Sequence, residues 1–481
     1  MTFYFYDLET SSGSPRTGRI MQFAGQRTDA DLQPIGEPDN ILVKLADDII
    51  PEPDAVLVHG ITPQKTLEEG LTEAEFAEFF HENIALANTV FVGFNNIRFD
   101  DEFIRRMCYR TFNDPYQWHW LDGRSRWDLL DPIRMMRALR PEGLKWPMLK
   151  DKPTVKLELM AQENGLTHDN AHDALSDVIA LIELAQKFKH AQPKLFEYLV
   201  RMRDKKAVGA LLGGEHPFVY TSGSFGGTHL STTVACTLFA HPRRKGSSIV
   251  YDLRHDPTRW FGVPPKELAR HWQARFYDNV DQLPVKTVQH NKCPAVAPLG
   301  VLDNDAQTRL EIDLDQIKKH WNILLEHPEF AKDLEQALDI IENEQQSRLP
   351  LNDTVDTQMY DGFWADGDYS ELNNARLSPP EGLSKLIAAT TNKRIRDMIP
   401  LYKARNFPKT LTDSERADWE QHRRGALTSG GEKSPLARYY KRMEEIKSNR
   451  KLNDNDEYLL TELQLYVESI VPEPEDGYSQ E

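Results

Sequence analysis

The stretch Thr2-Phe3-Tyr4-Phe5-Tyr6-Asp7-Leu8-Glu9-Thr10 constrains the fold of this chain more than any other. Its aromatic lead-in reads as a strand over residues 3–7. Residues i and i+2 of a strand project to the same face, so Asp7 and Glu9 present two carboxylates side by side at the strand's end. Phe3 and Phe5 share that parity and turn the face toward something buried, where two unpaired carboxylates are costly without a cation. Taken alone, a D-x-E pair fits a solvated strand end better than a metal site.

The pattern continues as an alternation of strands and helices. Ile20 to Arg27 and Thr89 to Phe94 read as further strands, and Glu73 to Ala87 and Asp101 to Phe112 as helices, which gives an α/β core. From Asn170 an apolar stripe of Ala171, Leu175, Val178, Ile182 and Ala185 marks a packed helix. Between about 205 and 305, short β-rich runs (Phe218 to Thr221, Thr233 to Phe239, Ile249 to Tyr251) separated by turn formers point to a small barrel or sandwich. The last third reads as helical, with a capping box at Thr412 and Glu415 and Pro435 early in a helix. We divide the chain of 481 residues accordingly into an α/β region 1–192, a β-rich region with flanking helices 193–348, and a helical region 349–481 with an acidic tail.

No apolar run approaches the roughly 20 residues that cross a bilayer, and Cys108, Cys236 and Cys293 have no metal or disulfide spacing, so the expectation is a cytoplasmic chain with buried thiols and no membrane partner. The net charge of −17 argues against a phosphate-rich ligand. Its distribution argues otherwise. Eight arginines between Arg105 and Arg140 interleave with Tyr109, Tyr116, Trp118, Trp120 and Trp127, a locally cationic stretch.

Two more elements join the first. In Asn95-Asn96-Ile97-Arg98-Phe99-Asp100-Asp101, a polar turn after a strand delivers Asp100 to the opening of the next helix, although Asp100 or Asp101 as a helix cap is an equal reading. In His172-Asp173-Ala174-Leu175-Ser176-Asp177, five helical residues place His172 on the entering loop and Asp177 on the helix proper, with Asp173 the rival carboxylate. Together these supply four carboxylates and a histidine on an α/β scaffold.

Asp7-x-Glu9, Asn96-x-x-Phe99-Asp100 and His172-x-Ala174-x-x-Asp177 resemble the three motifs of the DEDDh exonucleases, whose core is an RNase H-like sheet. Further stretches, among them His59-Gly60-Ile61-Thr62-Pro63-Gln64, Ser125 to Asp131, Ala138 to Gly143, His290 to Pro294 and Ala404-Arg405-Asn406-Phe407-Pro408, resemble the bacterial exodeoxyribonuclease I family. The resemblance implies an exonuclease domain, an SH3-like middle domain and a helical C-terminal domain closing around one DNA strand. It also implies 3′→5′ degradation of single-stranded DNA to 5′-mononucleotides in DNA repair and recombination.

On this reading Asp7, Glu9, Asp100 and Asp177 hold two Mg2+ ions, for which Mn2+ can substitute, and His172 is the general base. Strand contacts are expected from Glu9, Arg105, Tyr116, Trp120, Arg134, Lys156, Asn170 and Lys205. Family members often have arginine at the position of Lys156, which weakens the expectation there. The partners implied are single-stranded DNA and the acidic tail of single-strand DNA-binding protein, with Arg140 a candidate docking residue, and the chain is expected to be a monomer. A shorter proofreading or RNA-trimming nuclease and a catalytically dead strand binder are the competing readings. The extra domains disfavour the first, and the intact carboxylates the second.

Overall fold

The computed structural model describes residues 1–167, 173–275, 278, 280–348 and 354–472. Strand β1 (Thr2–Thr10) lies at the centre of a five-stranded sheet with β2 (Ile20–Thr28), β3 (Asp39–Leu42), β4 (Thr89–Gly93) and β5 (Ser125–Asp128), in the order β3-β2-β1-β4-β5. β1 runs antiparallel to β2, with Asp7 opposite Ala24 and Glu9 opposite Gln22, and parallel to β4, with Phe5 opposite Val92. Strands covered on both faces are apolar on both parities. Phe3 and Phe5 join one core with Val178, Leu181 and Ala185 of the helix Ala174–Ala191, while Tyr4, Tyr6 and Leu8 join a second with Phe23, Phe76, Phe91 and Trp118.

The expected helix over Asp101 to Phe112 runs Asp100–Arg110. The one expected over Glu73 to Ala87 is shorter. Glu73–Phe79 is α-helical behind a capping box of Thr72 and Glu75, and Phe80–Ile84 loosens into a π-helical turn that keeps Phe80 and Ile84 buried.

The middle region forms a second sheet from β6 (Phe218–Thr221), β7 (Thr232–Ala240), β8 (Ser247–Asp252), β9 (Val285–Gln289) and β10 (Ala295–Pro298), ordered β9-β8-β7-β6-β10 and antiparallel throughout. Its core is continuous with that under β1, running from Trp127 and Phe196 to Val219, Tyr251 and Leu334. The C-terminal helices, which include Lys393–Asn406, Asp413–Thr428, Pro435–Asn449 and Asp454–Ile470, pack on the first region through two further cores. One joins Met21, Val56 and Ile61 to Leu459, Leu463 and Tyr466, and the other joins Tyr109 and Phe112 to Met398 and Tyr402.

The Thr412 and Glu415 capping box and Pro435 at a helix start are as read from sequence. The three cysteines are buried and unpaired. Among the described residues no helix is long and apolar enough to cross a membrane.

Polar contacts explain two of the quoted stretches. In His59-Gly60-Ile61-Thr62-Pro63-Gln64, Gly60 ends one helix at φ 70°, Thr62 caps the next, and the Gln64 amide donates to the Glu462 carbonyl at 2.6 Å. In Ala404 to Pro408, Arg405 is forked between Asp48 (2.6 Å) and Asp356 (2.7 Å), and Asn406 accepts the Ala74 N–H at 2.8 Å.

The cationic stretch needs correction. Trp118 and Trp127 are core side chains, and much of the positive charge is buried in ion pairs, Arg110 with Glu73 and Arg126 with Asp101. Arg140 is engaged as well, pairing with Asp303 at 2.9 Å and donating to the Val301 carbonyl at 3.0 Å.

Candidate active site

Asp7 and Glu9 sit where β1 leaves the sheet, and a register shift between Glu9 and Thr10 in the pairing with β2 marks that exit. Asp177 lies in the first turn of Ala174–Ala191, the helix whose apolar stripe packs on the same face of β1. One carboxylate oxygen from each of Asp7, Glu9 and Asp177 lies within 4.8 Å of the other two. Asp100 stands outside this triangle at the start of its helix, yet its charge is the largest neighbouring influence on Asp7.

The electrostatics are those of acids held together against repulsion. Burial, then the charges of Asp100 and Asp177, push the Asp7 carboxyl well above the usual carboxylate range. Burial, then Asp7, Asp177 and Asp173, push Glu9 up to about 9. Asp100 is raised by burial and then by Asp101. An all-oxygen donor set with this much unbalanced negative charge fits a hard divalent cation, which favours the ionised forms.

Asp100 and Asp101, indistinguishable in sequence, are sorted by the turn before them. Asn95 takes a left-handed conformation at φ 70°, and Asn96 donates to the Tyr6 hydroxyl at 3.1 Å and to Asp101 at 3.3 Å. Tyr6 also donates to Asp101, and Arg126 of β5 pairs with it, so Asp101 is fully buried and structural. Neither aspartate caps the helix, because Phe99 holds the capping position without a side-chain bond.

Asp128, to which sequence reading gave no role, steadies the same turn. It accepts the N–H groups of Asn95 (2.9 Å) and Leu130 (3.1 Å), and burial raises it to about 6. Its only sequence signal is its place in the quoted stretch Ser125 to Asp131. Asp173, the rival ligand, is outside the triangle and accepts from Gln22 at 3.3 Å.

A cavity of about 590 Å³ opens beside Asp177 and is lined by Asn95, Arg134, Arg137, Lys156 and, from the middle region, Gly227 and Ser231. Lys156 is exposed, and Arg134 pairs with Asp131 at 2.6 Å. Arg105, Tyr116, Trp120 and Lys205 do not line this cavity. Arg105 is buried, pairs with Glu102 at 2.5 Å and lies 5.4 Å from the Tyr116 ring, while Trp120 is 55% exposed. Lys205 is exposed at the start of Lys205–Leu212. Sequence reading missed Tyr360 and Phe363. Tyr360 donates to Glu102, and Phe363 packs 5.6 Å from Tyr116, so the C-terminal region completes that aromatic surface. His172 and Asn170 lie outside the described residues.

Three family models tile the chain in order: an exonuclease model over residues 4–185, the exonuclease I SH3-like domain over 203–339, and the exonuclease I C-terminal domain over 353–470. Exodeoxyribonuclease I of Escherichia coli is 38% identical over 432 residues, covering 89% of this chain and 90% of that protein. This chain belongs to the exodeoxyribonuclease I family. Exonuclease I from Methylocaldum szegediense superposes with a TM-score of 0.90 at 37% identity, covering 98% of this chain and 99% of the other. The Escherichia coli enzyme in complex with a dA16 oligonucleotide superposes with a TM-score of 0.92 at 36% identity, covering 98% and 100%. The chain is therefore an exonuclease of the RNase H-like DEDDh class, with an SH3-like middle domain and a helical C-terminal domain. Its carboxylate cluster fits the metal dependence of that family.

Proposed function

We propose that this exonuclease degrades single-stranded DNA from the 3′ end to 5′-mononucleotides, using two divalent ions held by Asp7, Glu9, Asp100 and Asp177. The observation that carries the reading is the convergence of Asp7, Glu9 and Asp177 within 4.8 Å, with the charge of Asp100 acting on Asp7. Mg2+ is the working metal and Mn2+ a substitute, since carboxylate oxygens suit both. When bound, such ions neutralise the charge that develops on a phosphodiester during in-line displacement.

The residues of the chain supply the rest. Tyr6, Asn96 and Arg126 fix Asp101 and thereby orient Asp100. His172 accepts the proton of the attacking water. Arg134 and Lys156 meet backbone phosphates, as do Arg105 and Lys205, and Asn170 and Glu9 position the terminal nucleotide. Tyr116 and Trp120 stack bases without sequence preference, each stack contributing about 1–3 kcal/mol.

The binding of oligonucleotides by solved relatives supports the substrate, and a zinc-bound Escherichia coli complex with single-stranded DNA supports the metal. In this reading the units 1–192, 193–348 and 349–481 enclose the strand, and the enzyme is a cytoplasmic monomer acting in DNA repair and recombination. Docking of the acidic tail of single-strand DNA-binding protein draws support from a solved crystal structure of SSB/Exonuclease I in complex with an inhibitor.

The test is digestion of end-labelled single-stranded DNA, duplex DNA and RNA with Mg2+ or with chelator. Mononucleotide release from the 3′ end of single-stranded DNA, abolished by chelator, is expected. Cleavage that survives chelation contradicts the metal assignment, and preference for RNA contradicts the substrate.

A further inference from the structure

The helix Leu130–Leu139 holds a guanidinium with no carboxylate partner among the described residues. Arg137 is 5% exposed, and its Nε and Nη1 are buried without a hydrogen-bond partner among the described residues. Among the other buried arginines, Arg19, Arg105, Arg110, Arg126 and Arg423 are each matched to a carboxylate, and Arg106 lies over the Tyr360 ring at 5.7 Å. A buried cation without a partner is strongly unfavourable, so its persistence calls for a ligand. Burial and the charge of Arg134 lower Arg137 only to about 10, which leaves it charged at neutral pH.

Its surroundings name the ligand class. Arg137 lines the cavity that also contains Asp177, with Arg134 and Lys156 as the other cations of its wall. Arg134 is already committed to Asp131, whose carboxylate also accepts the Gly223 N–H at 3.3 Å. The middle domain closes so tightly there that a Cβ on Gly223 would come within 2.7 Å of the Arg134 guanidinium. Among the described residues, Arg137 is therefore the buried uncommitted charge of a pocket adjoining the carboxylate cluster, with the exposed Lys156 across its wall. A fork of N–H donors suits the oxygens of a phosphate.

We infer that Arg137 is a strand-binding residue, its guanidinium holding a backbone phosphate of single-stranded DNA in the cavity beside Asp177. The inference rests on the proposed function. It adds Arg137 to the phosphate contacts of Arg134 and Lys156 and gives it the larger share, since Arg134 is also paired with Asp131.

The test is fluorescence anisotropy of a labelled oligothymidylate on the full chain in chelator, across a salt series, for wild type and Arg137→Gln. Loss of one phosphate contact to a single strand lowers the slope of log affinity against log salt by about 0.7. Binding is expected to weaken about tenfold, as for loss of a charged hydrogen bond. Arg137→Lys, which keeps the charge, retains the wild-type slope and guards against misfolding of the glutamine variant.

A wild-type slope in Arg137→Gln overturns the inference while leaving the nuclease reading intact. Failure of the wild type to bind the oligonucleotide overturns that reading first. A lesion confined to inhibition by thymidine monophosphate, with the strand's slope unaltered, would put the product in the cavity and also overturn the inference.

Discussion

The hydroxyl of Tyr6 donates to the carboxylate of Asp101, and this contact ties the strand bearing Asp7 and Glu9 to the helix that opens with Asp100. Tyr6→Phe leaves Asp101 with its bonds from Asn96 and Arg126, so the stability loss should be about 1 kcal/mol. Turnover should fall on the order of tenfold, because a small misplacement of a ligand-bearing helix weakens transition-state interactions. Denaturant titration and single-turnover cleavage check both numbers. Unchanged turnover would mean that Asp100 is positioned by other means.

Asp101→Asn is a harsher change, since it leaves the Arg126 guanidinium buried beside a neutral group. A loss of about 3–5 kcal/mol is expected, as for other broken buried pairs. Chemical denaturation should show it at any metal concentration.

The raised carboxyl at the site has a consequence for pH. Glu9 titrates near 9 in the folded chain against an ordinary value of 4.5, so the folded state binds the proton more tightly. Stability from this group is fully present below pH 4.5 and is lost as pH rises toward 9, and Asp7 and Asp100 shift in the same direction. The melting temperature in chelator should therefore fall from about pH 5 to pH 9, and the gain on adding Mg2+ should grow over that interval. A metal-induced gain that is flat with pH would contradict the cluster's electrostatics.

Much of this site was legible in the sequence because strand parity is a local rule: Asp7 and Glu9 had to share a face with Phe3 and Phe5. Asp177 followed from helical spacing, five residues after His172, which puts it on the helix proper. The sorting of Asp100 from Asp101 was not legible, since it depends on Tyr6 and Arg126, distant in the chain. The same limit governs the arginine stretch. Its charges could be counted, but Glu73 and Asp101, which bury two of them, are named by tertiary packing alone. Three of the five strands of the middle domain were read within a few residues, whereas β9 and β10 were not, and the order, with β10 returning to pair with β6, has no local signature.

Arg405 links the C-terminal helices to the exonuclease domain through Asp48 and to the segment before those helices through Asp356. Both carboxyls are held below their usual range, chiefly by the Arg405 charge working against their burial. Arg405→Met should destabilise the protein by about 3–5 kcal/mol and expose the C-terminal region to protease before the rest unfolds. Limited proteolysis with mass analysis of the fragments checks this, and uniform digestion would argue against a local clamp.

The most direct test of the account is Asp177→Asn assayed in parallel for strand binding, metal binding and cleavage. Calorimetric titration with Mn2+ should show loss of at least one ion, cleavage of single-stranded DNA should fall by about three orders of magnitude or more, and oligonucleotide affinity in chelator should stay within a few-fold of wild type. Full cleavage activity with wild-type metal binding would contradict the claim that Asp7, Glu9 and Asp177 form the metal centre.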